Sequence, residues 1–197
     1  KLYTIIYAPN DADKVRYPVM LNRTPYAIGP YKSDKMKKNL GPSSTMMHEG
    51  YIFAYQDVRG RYMSEGQFVD VRPEKDTHTG KTDIDESTDT FDTIEWLLKN
   101  KQAPKNNGRI GQWGISYPGY YTATGLLARH PALKAASPQA PIADWFWDDF
   151  HHNGAFFLPH AFNFLASFGL PRPQPTPTGN PPFKHGTPDG YDFFMKM

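Results

Sequence analysis

Gly111-Gln112-Trp113-Gly114-Ile115-Ser116-Tyr117-Pro118-Gly119-Tyr120 sets one serine between glycines, directly after a short apolar run and directly before a segment with helical character. A turn that lifts a serine hydroxyl clear of a sheet needs strained backbone at the serine. It also needs small residues where strand and helix pack closest, two positions to either side. Gly114 stands at minus two, but Pro118 occupies plus two and Gly119 plus three, so the strict G-x-S-x-G spacing is not met. A glycine near a serine is commonplace, and alone it marks a surface turn more often than a nucleophile. The order of strand, turn and helix around Ser116 makes it the candidate nucleophile.

The surrounding chain supports that order. Leu2 to Tyr7, Tyr17 to Asn22 and Tyr51 to Tyr55 are rich in β-branched and aromatic residues and are bounded by Pro, Gly, Asn or Asp, as strands are. The second and third are continuous apolar runs, the mark of strands buried on both faces of a parallel sheet. A helix is expected from about Asp83 to Asn100, with Phe91, Ile94, Leu97 and Leu98 on one face. Asp83, Asp85, Glu86 and Asp89 crowd its start and Lys99 and Lys101 its end, complementing the helix dipole, and Asn106-Asn107-Gly108 reads as the turn back. A short strand from Ile110 to Trp113, the serine, a helix from about Pro118 to Arg129 and a strand-like run near Leu133 to Ala136 follow. Alternation of this kind means an α/β fold.

After Pro141 the character changes. An aromatic stretch, Asp144 to His152 and on to Phe168, is expected to be helical. From Gly169 to Gly190 there are seven prolines, which sustain neither helix nor central strand, so this segment reads as an extended loop. The division expected is therefore 1–141 for an α/β core and 142–197 for a second, aromatic and proline-rich part.

Bulk properties narrow the function classes. Of the 197 residues 39% are hydrophobic and 15% aromatic, enough for one substantial core. The 22 Lys and Arg are interspersed with 20 Asp and Glu, leaving a net charge of +2 and no electrostatic footprint for nucleic acid. The densest basic run, Lys35-Met36-Lys37-Lys38, reads as a solvated loop patch. The absence of cysteine excludes disulfides and thiolate metal sites. His151 and His152 are adjacent, not at zinc-ligand spacing, and read as packing or loop-edge residues, so neither metal nor other cofactor is expected. No apolar run approaches the roughly 20 residues of a membrane span. The chain opens on Lys1 almost inside a strand, so a removed N-terminus is expected, and with a lost signal peptide a periplasmic or secreted location.

Four segments together carry a resemblance. Gly114-Ile115-Ser116-Tyr117-Pro118-Gly119 resembles the G-x-S-Y-x-G elbow of the serine hydrolase family that includes α-amino acid ester hydrolases, cocaine esterase, glutaryl-cephalosporin acylases and X-prolyl dipeptidyl aminopeptidases. Asn22-Arg23-Thr24-Pro25-Tyr26 is similar to that family's R-x-P-Y loop, and Asp57-Val58-Arg59-Gly60 with Ser64 and Gly66 to its D-x-R-G-x-x-x-S-x-G loop. The acidic helix ending in Ile94-Glu95-Trp96-Leu97 fits the helix before its elbow. The resemblance spans most of residues 1–168. It implies the N-terminal part of an α/β-hydrolase sheet with the start of a helical cap.

Carried over by position, the resemblance makes Ser116 the acylated nucleophile and the backbone N–H of Tyr117 one oxyanion donor, with the Tyr26 hydroxyl as the other. The bland alternative for Tyr26 is a loop tyrosine packed beside Pro25. Asp57 and Arg59 are expected to fix loops through charged hydrogen bonds. Asp148 and Asp149, set among Trp145, Trp147, Phe150, Phe156 and Phe157, are either solvated acids or a carboxylate site for a substrate's α-amino group. Alignment on Gly154-Ala155-Phe156 selects Asp149, and a one-residue difference in spacing keeps Asp148 as the alternative.

In this fold the acid and the histidine follow the serine on loops after later strands. His185 and Asp192 follow Ser116, but no strand signal precedes either, and they are not recruited. The expected partners are an ester, β-lactam or peptide substrate and the remainder of the enzyme: cap, catalytic Asp and His, and a C-terminal β domain. A homo-oligomer is compatible with the sequence. The competing class is a catalytically silent relative that binds without turnover.

Overall fold

β1 (Thr4–Tyr7), β2 (Tyr17–Thr24), β3 (Ile52–Asp57), β4 (Asn106–Ile115) and β5 (Leu133–Gln139) form one sheet in the order β1-β3-β2-β4-β5. β1 runs antiparallel to β3, and every other pairing is parallel. The computed structural model describes residues 1–197 apart from Ser33, Ser167, Gly169 and Pro171, so two positions of the expected proline-rich loop lie outside the described residues.

The continuous apolar reading of β3 has its cause in the two covered faces. All six of its residues are buried. Ile52 and Ala54 join Val19, Leu21, Ile110 and the helix residues Ile94 and Leu97 on one face, while Phe53 and Tyr55 join Tyr7 and Ile28 on the other. Alternate side chains of one strand thus feed two separate cores.

The helix α2 spans Glu86–Lys99, starting three residues inside the expected start. Asp85 caps it in a reciprocal box with Thr88, which satisfies N–H groups that the first turn leaves free. Its buried face is less apolar than expected. Ile94 and Leu97 are buried, but so are Glu86, Asp89, Thr90 and Thr93, and Phe91 lies partly exposed against His130. The reason is Arg23, fully buried on β2, whose guanidinium donates to Gln56 Oε1, Glu86 O and Thr90 Oγ1 and pairs with Glu86 at 3.2 Å. A buried charge is tolerated only with such partners, so the helix supplies them.

Two expectations are corrected. Asn106 to Gly108 is the bulged start of β4, with Gly108 at φ +76° and a register shift against β2, and the turn lies earlier, at 101–103. The stretch after Asp144 is not one helix. A π-helical turn, Phe146–Phe150, leads into a hairpin of β6 (His151–His152) and β7 (Ala155–Phe156), and only then comes α4 (Leu158–Ala166). The break is Asn153-Gly154, both at positive φ (+52° and +82°), the conformation a two-residue hairpin turn requires. Two short helices complete the chain, α1 (Ser44–His48) and α5 (Gly190–Phe194), with α3 (Tyr117–Leu127) following β4 directly. No helix among the described residues is long and apolar enough to cross a membrane.

Candidate active site

Ser116 stands between β4 and α3 at φ +64° and ψ −123°, a conformation a β-carbon-bearing residue adopts only under compulsion from its surroundings. The compulsion is close packing on both sides of the turn. A β-carbon at Gly114 would lie 2.2 Å from the Pro118 carbonyl oxygen, and one at Gly119 would lie 2.5 Å from the Gln139 oxygen of β5. Gly114 therefore admits the first turn of α3, whereas Gly119 admits the neighbouring strand. This explains why proline is tolerated at plus two and glycine is needed at plus three. The backbone is locked further by Ser116 N–H donating to Gln139 O at 3.0 Å and by Tyr120 N–H donating to Ser116 O at 3.0 Å. The serine side chain itself is exposed and makes no capping bond to α3. As the first helical residue, Tyr117 has an N–H with no acceptor inside the helix, at the positive end of the helix dipole.

Tyr26 follows β2 on the same, C-terminal edge of the sheet. Its ring meets the Tyr117 ring edge-on, with centroids 6.4 Å apart. Its carbonyl neighbour is fixed as well, since Arg61 Nε donates to Pro25 O at 3.0 Å while the guanidinium lies over the Phe68 and Phe168 rings. Burial raises the Tyr26 phenol above its ordinary range, the charges of Asp149 and Asp70 add to this, and Arg61 opposes it. The hydroxyl therefore keeps its proton through neutral pH.

The acidic pair separates. Asp148 Oδ2 accepts the N–H groups of Ala143 (2.7 Å) and Asp144 (2.9 Å), and these bonds hold its carboxyl below the usual range. It is engaged in fixing the chain that enters the π-helical turn. Asp149, partly buried in that turn, has no such task. His151 stacks on Phe146 at 3.9 Å and on Phe156, and His152 packs on Phe157, so both are packing residues. Among the described residues no cluster of histidines and acids could hold a metal.

Asp57 ends β3 and ties two loops together, accepting from Ile28 N–H, the Tyr31 hydroxyl and Met63 N–H. Burial pushes its carboxyl up to about 6 against these bonds. Arg59 grips Asp89 of α2 through both Nε and Nη2. His185 is ringed by Phe162, Phe183, Phe193 and Phe194, and Asp192 is exposed on α5. Among the described residues no hydrogen bond or ring contact connects either to the Ser116 turn. Sequence reading missed two neighbours of the site, Arg61 and Asp70. They lie on irregular chain, where no periodicity marks a residue.

A mostly parallel sheet that presents a strained serine between one of its inner strands, β4, and the next helix defines the N-terminal part of an α/β-hydrolase fold. A family model described as X-Pro dipeptidyl-peptidase (S15 family) matches residues 1–179, and the chain belongs to that family. It is similar to the cocaine esterase of Rhodococcus sp. (strain MB1 Bresler), with 30% identity over 146 residues, 73% of this chain and 22% of the esterase. Among solved structures it matches an aminopeptidase from the marine sediment archaeon Thaumarchaeota archaeon (34% identity, TM-score 0.74, 99% of this chain and 31% of that one). It also matches an α-amino acid ester hydrolase (35% identity, TM-score 0.69, 84% of this chain and 27% of that one). The chain thus spans about a third or less of the length of each of these relatives.

Proposed function

We propose that this chain is the nucleophile-bearing part of a serine hydrolase that forms an acyl-enzyme on Ser116 and cleaves an ester or amide bond. The carrying observation is the Ser116 turn: an exposed, unengaged hydroxyl held at positive φ beside an N–H with no helical acceptor. In this reading Ser116 Oγ adds to the acyl carbon, and its proton passes to a histidine supplied by the rest of the protein and on to the leaving alcohol or amine. The negative oxygen is received by Tyr117 N–H and the Tyr26 hydroxyl, and water then hydrolyses the acyl-enzyme. Residues 1–141 act as the α/β core and 142–197 as the start of a cap over it.

The test is a fluorophosphonate probe, which labels only an activated serine. The full-length protein is expected to be labelled, with the modification mapping to Ser116 by peptide mass. Absence of labelling, or a modification elsewhere, overturns the enzyme reading in favour of a silent binding relative.

The substrate class follows from Asp149. A partly buried carboxylate that accepts no hydrogen bond among the described residues, flanked in sequence by Trp147 and Phe150, suits an α-ammonium group. The relatives named as an aminopeptidase and an α-amino acid ester hydrolase support the same class. Asp149→Asn is expected to lower kcat/KM for an amino-acid ester by about 10- to 100-fold, the worth of a hydrogen bond to a charged group. The des-amino analogue should be spared. Equal losses on both substrates would reject the assignment.

A further inference from the structure

The Tyr117 side chain is buried completely, and its hydroxyl makes two short hydrogen bonds: it donates to Asp70 Oδ1 at 2.7 Å and accepts from Val71 N–H at 2.7 Å. Asp70 and Val71 belong to the irregular segment between β3 and α2. Val71 adopts φ +40°, a strained value for a β-branched residue, as the segment turns to meet Tyr117. The same segment is fastened again two residues on, where the Tyr120 hydroxyl donates to Arg72 O at 2.6 Å.

We propose that Asp70 is a positioning residue for the reaction: by holding the Tyr117 hydroxyl it sets the direction of the Tyr117 N–H. The physical argument is one of rigidity. The Tyr117 ring is confined by the rings of Tyr26, Tyr120, Tyr121 and Trp145. Ring contacts leave sliding and tilting open, whereas the bonds at the hydroxyl fix the far end of the side chain. With both ends of the tyrosine held, its α-carbon and the preceding peptide plane cannot rock. An oxyanion donor must stay within about 0.5 Å and 10–20° of its productive position, which ring packing alone does not enforce.

The inference rests on the acyl-transfer reading of Ser116, and the test separates the two. In the full-length protein Asp70→Ala is expected to lower kcat about 10-fold or more with KM for a des-amino ester nearly unchanged, and to slow fluorophosphonate labelling of Ser116 by the same factor. Asp70→Asn, which keeps an acceptor for the Tyr117 hydroxyl, should restore most of both rates. Tyr117→Phe, which removes the bond to Asp70 and also the one from Val71 N–H, should lower both rates at least as much as Asp70→Ala, and the losses in the double variant Asp70→Ala, Tyr117→Phe should be clearly less than additive, because the two changes share the Asp70–Tyr117 bond. Wild-type kcat and labelling in Asp70→Ala, or fully additive losses in the double variant, overturn the positioning role while leaving Ser116 as nucleophile. Wild-type protein that does not label overturns both. If Asp70→Ala does not fold, Tyr117→Phe decides: normal kcat and labelling in a folded Tyr117→Phe protein overturn the proposal.

Discussion

Replacing Ser116 by alanine in the full-length protein is expected to lower kcat by about 10⁵-fold or more, the scale of losing a nucleophile that acts as a unit with its base. Stability should hardly change. The Ser116 side chain is exposed and makes no capping bond, and alanine at φ +64° bears the same backbone strain as serine, so the difference should stay within about 0.5 kcal/mol. The checks are kcat at saturating substrate and a thermal unfolding midpoint on the same sample. A variant that keeps kcat within about tenfold of wild type removes Ser116 from the chemistry. This result and probe labelling are independent, because the first reads turnover and the second reads the reactivity of one atom.

The second large effect is expected at Tyr26. Tyr26→Phe should lower kcat by about 10²- to 10³-fold with KM little altered, since a donor to the developing oxyanion acts on the transition state more than on bound substrate. The ring contacts to Tyr117 and Phe168 do not involve the hydroxyl, so phenylalanine should preserve them and the fold. The sign of the titration supports the role. Because burial raises the phenol above 10 and the nearby Asp149 and Asp70 charges raise it further, the group stays an O–H donor across neutral pH and into the alkaline range, so wild-type kcat should show no alkaline loss from Tyr26 below pH 10. A near-normal kcat in Tyr26→Phe returns this residue to packing beside Pro25.

Much of the fold is legible in local patterns. The two-sided burial of β3 shows as an uninterrupted apolar run, and the start of α2 shows as the acidic cluster around Asp85. The elbow is legible for the same reason, because strand, glycine, serine and helix are consecutive and Gly114 meets a residue only four positions away. The hairpin at Asn153-Gly154 was equally local. The aromatic spacing around it suits a helix and a packed turn alike.

What the sequence by itself determined is the α/β order and the position of Ser116, because both depend on residues within a few positions of each other. Tertiary structure decided the rest. The antiparallel pairing of β1 with β3 leaves no trace in a four-residue apolar strand, since its alternation is the same in either direction. That the Asp148 carboxylate accepts two backbone bonds depends on the N–H groups of Ala143 and Asp144 being turned toward it. Gly119 is needed because β5 passes over it 20 residues later, and Arg23 is neutralised by a helix that begins more than 60 residues away. Asp70 reaches Tyr117 across 47 residues that include α2 and β4. Hydrogen-bond geometry and burial are properties of atoms brought together by folding, and no spacing along the chain encodes which distant carboxylate will face which hydroxyl.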